Sequence, residues 1–137
     1  MGHAELGVAL RFGLEGEITM TRKELITLCL RFPDAYEDYP FGSEPDGQTI
    51  WTVIRHRSNR RSFALIFERG GLCVNLKCDP PYADLLRRSF ESITPAYHMN
   101  KVHWNTVMPN GDLPYEELIA LIEHSYRLTL PKKAKNP

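Results

Sequence analysis

The chain has 137 residues, about the length of one domain. Its 17 Lys and Arg residues balance its 17 Asp and Glu residues, and 42% of its residues are hydrophobic. This composition argues against a disordered chain, a collagen-like fibre, a disulfide-dense miniprotein and a wholly basic nucleic-acid-binding domain, whose isoelectric point would exceed about 9.

Residues 1–18 form an N-terminal extension in which apolar residues alternate with small or polar ones from Leu6 to Leu14. A period of two predicts a half-buried strand. Because Gly7 and Gly13 weaken a strand, an extension without fold is the equal alternative.

The first helix begins at Thr21, which has the spacing of a capping box with Glu24. Apolar residues then repeat at helical spacing until Pro33 ends the helix. Cys29 lies on this apolar face, so we expect it to be a small core residue and not a nucleophile. Residues 34–46 carry five acidic residues and no Lys or Arg, and their Pro and Gly residues predict a loop or a short edge strand.

Three strands rich in β-branched and aromatic residues are predicted at residues 50–55, 62–68 and 72–77. The links between them are short, whereas a parallel crossover needs a dozen or more residues. The three strands are therefore expected to form an antiparallel meander.

A second helix is predicted from Asp79, its N-cap, through two prolines to residue 90. The residues expected on its inner face are Tyr82, Leu85, Leu86 and Phe90. The residues expected to point outwards are Arg87 and Arg88. Two short extended pieces within residues 93–107 and a tight turn at Asn110-Gly111 precede a third helix at residues 114–128.

These elements predict an α+β fold. An antiparallel β-sheet is flanked on one face by the N- and C-terminal helices, which gives two layers. No repeat or linker divides the chain, so residues 19–130 are predicted to form one domain, followed by a basic tail at residues 131–137.

The densest polar cluster lies at residues 98–107. Its order is His98, Asn100-Lys101, His103-Trp104 and Thr106-Val107, followed by Gly111 and Pro114 before the last helix. With this signature the sequence resembles the MmcQ/YjbR-type family over residues 20–128. The resemblance implies a frataxin-type, CyaY-like fold and DNA binding, which is attributed to the family through a proposed double-wing arrangement of hairpins. It implies no catalytic residues.

The signature itself has two interpretations. Lys101 can contact a phosphate as a point charge, with Asn100 and His98 as donors and Trp104 as a stacking plane. Alternatively the segment is structural: Trp104 and Val107 fill the core, while His103 and Asn100 satisfy buried backbone groups.

The second candidate site is the predicted turn between the first two strands of the meander. It carries Arg55, Arg57, Arg60 and Arg61 within seven residues. Guanidinium groups suit phosphate oxygens, so a hairpin tip of this kind can clamp phosphates. The alternative is a solvated turn whose charges neutralise the acidic segment 34–46.

Other classes of function receive little support. Cys29, Cys73 and Cys78 are expected to be reduced thiols in a cytoplasmic protein, and a Cys73–Cys78 disulfide is the alternative. No secretory signal and no membrane-spanning apolar run is evident. The spacings of the histidines at 98 and 103 and of the later two cysteines do not suit metal ligands, and no cofactor or enzyme motif is present.

Two hypotheses follow. The first is a non-enzymatic DNA-binding protein that makes weak, nonspecific, salt-dependent phosphate contacts through the arginine turn, Lys101 and His98. The second is a scaffold or small-ligand-binding protein with a cleft lined by Trp104, His103 and the tyrosines of residues 36–39. Arginines that share a face with Lys101 favour the first, and arginines paired with segment 34–46 weaken it. The oligomeric state stays open.

Overall fold

A computed structural model of the chain describes residues 11–12, 18–42 and 50–132. In chain order its elements are β1 (Arg11–Phe12), β2 (Ile18–Thr19), α1 (Arg22–Leu30), β3 (Ala35–Asp38), β4 (Thr52–His56), β5 (Ser62–Glu68), β6 (Leu72–Lys77), α2 (Pro80–Ser89), β7 (Ile93–Pro95), β8 (Trp104–Val107) and α3 (Tyr115–Leu128). No helix in these ranges has the length and apolar character needed to cross a membrane.

The α+β prediction is confirmed. Strands β3 to β8 form a six-stranded antiparallel sheet in the order β3-β4-β5-β6-β8-β7, and β4-β5-β6 is the predicted meander. The edge strand predicted within residues 34–46 is β3. Strand β1 pairs with β2 in a separate two-stranded sheet. Most of the strand predicted within residues 1–18 and most of the basic tail lie outside the described residues.

The three helices share one hydrophobic core with one face of the sheet. Their buried residues include Leu25, Leu28, Ala83, Leu86, Leu118 and Ile122. The sheet contributes Ile54, Ile66, Val74, Leu76 and Val107. We call this face of the sheet the core face and the opposite face the outer face.

The register identifies the residues of the outer face, because side chains alternate along a strand. Val53 pairs with Leu65, Leu65 with Asn75, and Asn75 with Thr106, so these four residues lie on the outer face. Part of this face is also buried. Phe67 is fully buried outside the helix-side core, and the rings of Trp51 and Tyr97 pack against it.

The helix ends mostly follow their predicted signals. The capping box of Thr21 and Glu24 is present in full. Asp79 precedes α2, but its side chain makes no capping hydrogen bond. Phe90 lies just beyond the helix in extended backbone.

Two orientations predicted for α2 are wrong. Leu85 is 52% exposed and does not line the inner face. Arg87 does not point outwards: its Nε donates to Oδ1 of Asn105 at 2.6 Å. The physical reason is helical spacing, since Arg87 follows the buried Ala83 by four residues and so shares its face.

The three cysteines are free and buried. Burial raises the pKa of Cys29 to about 12 and that of Cys78 to about 11, so neither is a ready nucleophile. The alternative of a Cys73–Cys78 disulfide is wrong, because Cys78 belongs to the helix-side core and Cys73 lies on the outer face.

Candidate nucleic-acid interface

The turn between β4 and β5 is held by its own backbone. The N–H of His56 donates to the carbonyl of Arg61 at 3.0 Å, and the N–H of Arg60 donates to the carbonyl of His56 at 2.8 Å. Asn59 does more than shape the turn, because its amide donates to the carbonyl of Thr129 beyond α3. The arginine side chains therefore extend from a fixed backbone.

The four arginines of this turn are not equivalent. Arg55 is engaged within the protein: its Nε lies 2.8 Å from Oδ2 of Asp38, and its Nη1 donates to the carbonyl of Arg60 at 3.0 Å. Arg57 is exposed, with its guanidinium 5.2 Å from the centroid of the Tyr36 ring. The charge of Arg55 is thus neutralised by Asp38 of the acidic segment 34–46, as the alternative interpretation of the turn predicted.

The remaining three arginines, Arg57, Arg60 and Arg61, are exposed. Within the described ranges none of them forms an ion pair with a carboxylate. The nearby Asp34 accepts a hydrogen bond from the N–H of Ser58 at 3.1 Å and so braces the turn. The turn therefore carries a local excess of positive charge.

Lys77, at the end of β6, extends this charge across the sheet. It alternates with the core residue Leu76 and so belongs to the outer face. Burial lowers the pKa of Lys77, and the positive charge of Arg61 lowers it further. The Lys77 ammonium and the Arg61 guanidinium are therefore close enough to repel each other.

A cleft of about 550 Å³ opens beside the turn, lined by Tyr36, Asp38, Arg55, Arg57 and Arg60. Tyr39 lines a different groove, next to α1. Neither of these two sites includes His103 or Trp104. The tyrosines of the predicted cleft are thus divided between the two sites: Tyr36 lines the cleft beside the turn and Tyr39 the groove next to α1.

The signature segment begins in the connection between β7 and β8 and continues through β8, and two of its residues hold that connection. Oδ1 of Asn100 accepts the N–H groups of Val102 and His103 at 2.8 and 3.3 Å. The ammonium of Lys101 donates to the carbonyl of Ala96 at 2.9 Å, although the residue is exposed. Asn100 thus satisfies backbone groups, as the structural interpretation expected, but these groups are exposed and not buried.

The remaining signature residues differ in burial. His98 is exposed in left-handed backbone with φ of 61°, and His103 is exposed as well. Trp104 is half-buried on the outer face, not in the helix-side core as the structural interpretation predicted. Thr106 is buried, and its hydroxyl donates to Oδ1 of Asn75.

The arginine turn and the signature segment lie at the same end of the sheet. The register pairs Lys77 with Trp104 at this end, next to the start of β5. With strands about 4.8 Å apart, β5 and β8 are separated by roughly 10 Å across β6. The exposed arginines, Lys77 and the region around Lys101 therefore lie at one end of the sheet.

A model of the YjbR family matches residues 30–128. The chain belongs to the YjbR family. The uncharacterized protein YjbR of Escherichia coli K12 is 31% identical over 109 residues, which cover 79% of this chain and 86% of the relative. The uncharacterized protein YyaQ of Bacillus subtilis is 37% identical over 121 residues, covering 80% of this chain and 98% of the relative.

Solved structures agree with this assignment. A crystal structure of a Pseudomonas syringae protein is 34% identical, has a TM-score of 0.70, and is matched over 81% of this chain and 100% of that one. A Deinococcus radiodurans protein is 35% identical with a TM-score of 0.65, over 79% and 77% of the two chains. The resemblance carried by the signature is confirmed at the level of the family.

Two residues of this YjbR-family site were missed from the sequence. Lys77 ends a predicted strand, and its phase relative to Leu76 is the signal that places it on the other face. Arg87 donates to the carbonyls of Lys101 and Trp104 and holds the signature segment against α2, and its spacing from Ala83 is the signal for this orientation. Among the described residues, no three His, Cys, Asp or Glu side chains come together as metal ligands do.

Proposed function

We propose that this YjbR-family protein is a non-enzymatic nucleic-acid-binding protein that contacts phosphates through Arg57, Arg60 and Arg61. The observation that carries the proposal is the fixed turn with three exposed guanidinium groups, whose neighbouring carboxylates on Asp34 and Asp38 already have partners. Positive charge concentrated in this way attracts a polyanion even though the whole chain is neutral.

The arrangement suits phosphate chemistry. Guanidinium groups form paired hydrogen bonds with phosphate oxygens, and a hydrogen-bonded turn lowers the entropy lost when they bind. Lys77 and Lys101 add positive charge along the same end of the sheet. The exposed imidazole of His98 lies beside Tyr97 and Trp51, towards the far end of β4, and so is not brought together with the arginines. Because all these contacts go to the backbone of the nucleic acid, binding is weak, independent of sequence and strongly salt-dependent.

The proposal includes two further expectations from the sequence. The first is the frataxin-type arrangement in two layers, which is supported by the single core that all three helices share with one face of the sheet. The second is a cytoplasmic location, in keeping with three free thiols.

A second candidate function is the binding of a small anion. It is favoured by the cleft of about 550 Å³ in which Arg55, Arg57 and Arg60 face Tyr36 and Asp38. A phosphorylated small molecule fits this combination of charges and one aromatic ring.

The test is fluorescence anisotropy of a labelled DNA duplex at several salt concentrations. The triple variant Arg57→Ala/Arg60→Ala/Arg61→Ala is expected to bind more weakly and to lower the slope of log K against log salt by about 3, close to one per lost phosphate contact. The control Lys23→Ala/Arg88→Ala removes two charges from exposed sites at the start of α1 and on α2, away from this turn. It should leave most of the affinity in place.

If the two variants lose the same affinity for duplex, binding is not localised at the arginine turn. If the wild type does not bind duplex, the proposal is refuted altogether. Saturable binding of inorganic phosphate that Arg57→Ala abolishes, without binding of duplex, would favour the small-anion function instead.

A further inference from the structure

A group of aromatic rings lies on the outer face at the far end of β4. The ring centroid of Trp51 is 4.4 Å from that of Phe67 and 6.3 Å from that of Tyr97. The guanidinium of Arg69 lies 4.2 Å from the centroid of Tyr97, and the His98 ring lies 4.1 Å from it. We call Trp51, Tyr97, His98 and Arg69 the stacking surface.

Trp51, Phe67 and Tyr97 pack as one group of rings. Phe67 and Tyr97 are 5.5 Å apart, so the three centroids form a triangle and not a stack with Phe67 in the middle. The planes of Trp51 and Tyr97 differ by only 7°. Phe67 is fully buried, whereas Trp51 and Tyr97 are each half-buried and keep part of their surface accessible to solvent.

Polar contacts hold the stacking surface in place. The amide of Asn75 donates to the carbonyl of Tyr97 at 2.9 Å, and the N–H of Tyr97 donates to the hydroxyl of Thr106 at 2.8 Å. Both partners are buried outer-face residues of the sheet. The position of the Tyr97 ring is thus fixed by the sheet before any ligand arrives, which keeps the entropic cost of stacking low.

The stacking surface and the arginine turn belong to one continuous face. The pairing of Thr52 with Ile66 places Trp51 next to Phe67, in phase with Val53 and Arg55 along β4. At about 3.3 Å per residue, the six residues from Trp51 to Arg57 span roughly 20 Å. A single polymer of several units can therefore reach both sites.

Resting on the proposed function, we infer that the stacking surface binds an unpaired base of a single-stranded nucleic acid whose phosphates lie along the outer face towards the arginine turn. A base stacks on an aromatic ring only when its own face is available, and in a duplex the bases are already stacked on one another. Arg69 lies over the Tyr97 ring and His98 packs against it, so Trp51 is the ring on which the base stacks, with Arg69 and His98 as the groups that contact its phosphate or its edge.

The substrate preference distinguishes this inference from the proposed function. An oligothymidylate of about 12 nucleotides is expected to bind more tightly than a duplex of the same length, because only the single strand can stack. Trp51→Leu is expected to lower the affinity for the oligothymidylate by at least about fivefold and to leave the affinity for duplex unchanged. Trp51→Phe, which keeps a ring, should restore most of the loss.

Tyr82→Leu is the matched control, since Tyr82 is a half-buried aromatic residue on the helix side and hydrogen-bonds Glu117. It should not change binding to either ligand. An independent signal comes from Trp104→Phe, which leaves Trp51 as the one tryptophan of the chain. The fluorescence of Trp51 in this variant is expected to be quenched by oligothymidylate and not by duplex.

The outcomes separate the two proposals. If the wild type binds neither polymer, the proposed function is wrong and the inference with it. If the arginine triple variant loses binding to both polymers while Trp51→Leu affects neither, the proposed function stands and the stacking surface is refuted. An equal loss of affinity for both polymers in Trp51→Leu also overturns the inference, because stacking predicts an effect on the binding of the single strand alone.

Discussion

Replacing Arg87 by alanine tests how the signature segment is held. The guanidinium donates to Oδ1 of Asn105, to the carbonyl of Trp104 and to that of Lys101. Asn105 is 2% exposed, so Arg87→Ala removes a charged donor from an amide oxygen inside the protein. An unsatisfied buried acceptor costs about 1–3 kcal/mol, and the two bonds to backbone carbonyls add about 1 kcal/mol.

We therefore expect Arg87→Ala to lower the free energy of unfolding by about 3 kcal/mol. For a domain of this size that corresponds to a decrease in Tm of about 10 °C. Urea unfolding followed by circular dichroism measures the change, with an unchanged m-value expected. Arg87→Lys keeps one charged donor and should lose about half as much.

The neighbouring Arg88 provides the control. It is exposed and pairs with Asp84 one helical turn away, an ion pair worth about 0.5 kcal/mol or less. If Arg87→Ala and Arg88→Ala differ by less than about 0.5 kcal/mol, the anchoring role assigned to Arg87 is wrong.

Three further changes have defined outcomes. Gly111→Ala is expected to destabilise the protein by about 1–3 kcal/mol in thermal unfolding, because its Cβ would lie 2.4 Å from Cβ of Ser92; an unchanged Tm would show that the turn relaxes freely. Thr21→Ala removes the capping box with Glu24 and should cost about 1 kcal/mol in urea unfolding, whereas Thr21→Ser should not. Burial lowers the pKa of His56, so the folded state takes up fewer protons than the unfolded state as the pH falls below about 6.5. Stability should then decrease between pH 6.5 and 5, and the decrease should be smaller in His56→Gln; an equal pH dependence in both proteins would contradict this assignment.

Local signals in the sequence were sufficient for most of the sheet and for the helix starts. The meander follows from segments rich in β-branched and aromatic residues and from links too short for a crossover, and the structure has the antiparallel pairing that they predict. The start of α1 follows from the capping box formed by Thr21 and Glu24. In each case the deciding interaction joins residues close in the chain.

The site was less predictable because its geometry depends on contacts between distant residues. The course of the signature segment across the outer face is set by Asn75 and Tyr97, which are 22 residues apart. Likewise, the engagement of Arg55 with Asp38 depends on the pairing of β3 with β4. The sequence located the arginines but could not separate Arg55 from the three that remain exposed.

The central claim is that a polyanion binds at the end of the sheet that carries the exposed arginines. A titration of the ¹⁵N-labelled protein with DNA, followed by amide chemical shifts, tests this claim directly. The largest changes are expected at residues 57–61 and Lys77, and they should diminish as salt is added. Changes concentrated on α2 and the first half of α3, or none at DNA concentrations that saturate other nonspecific binders, would contradict this claim.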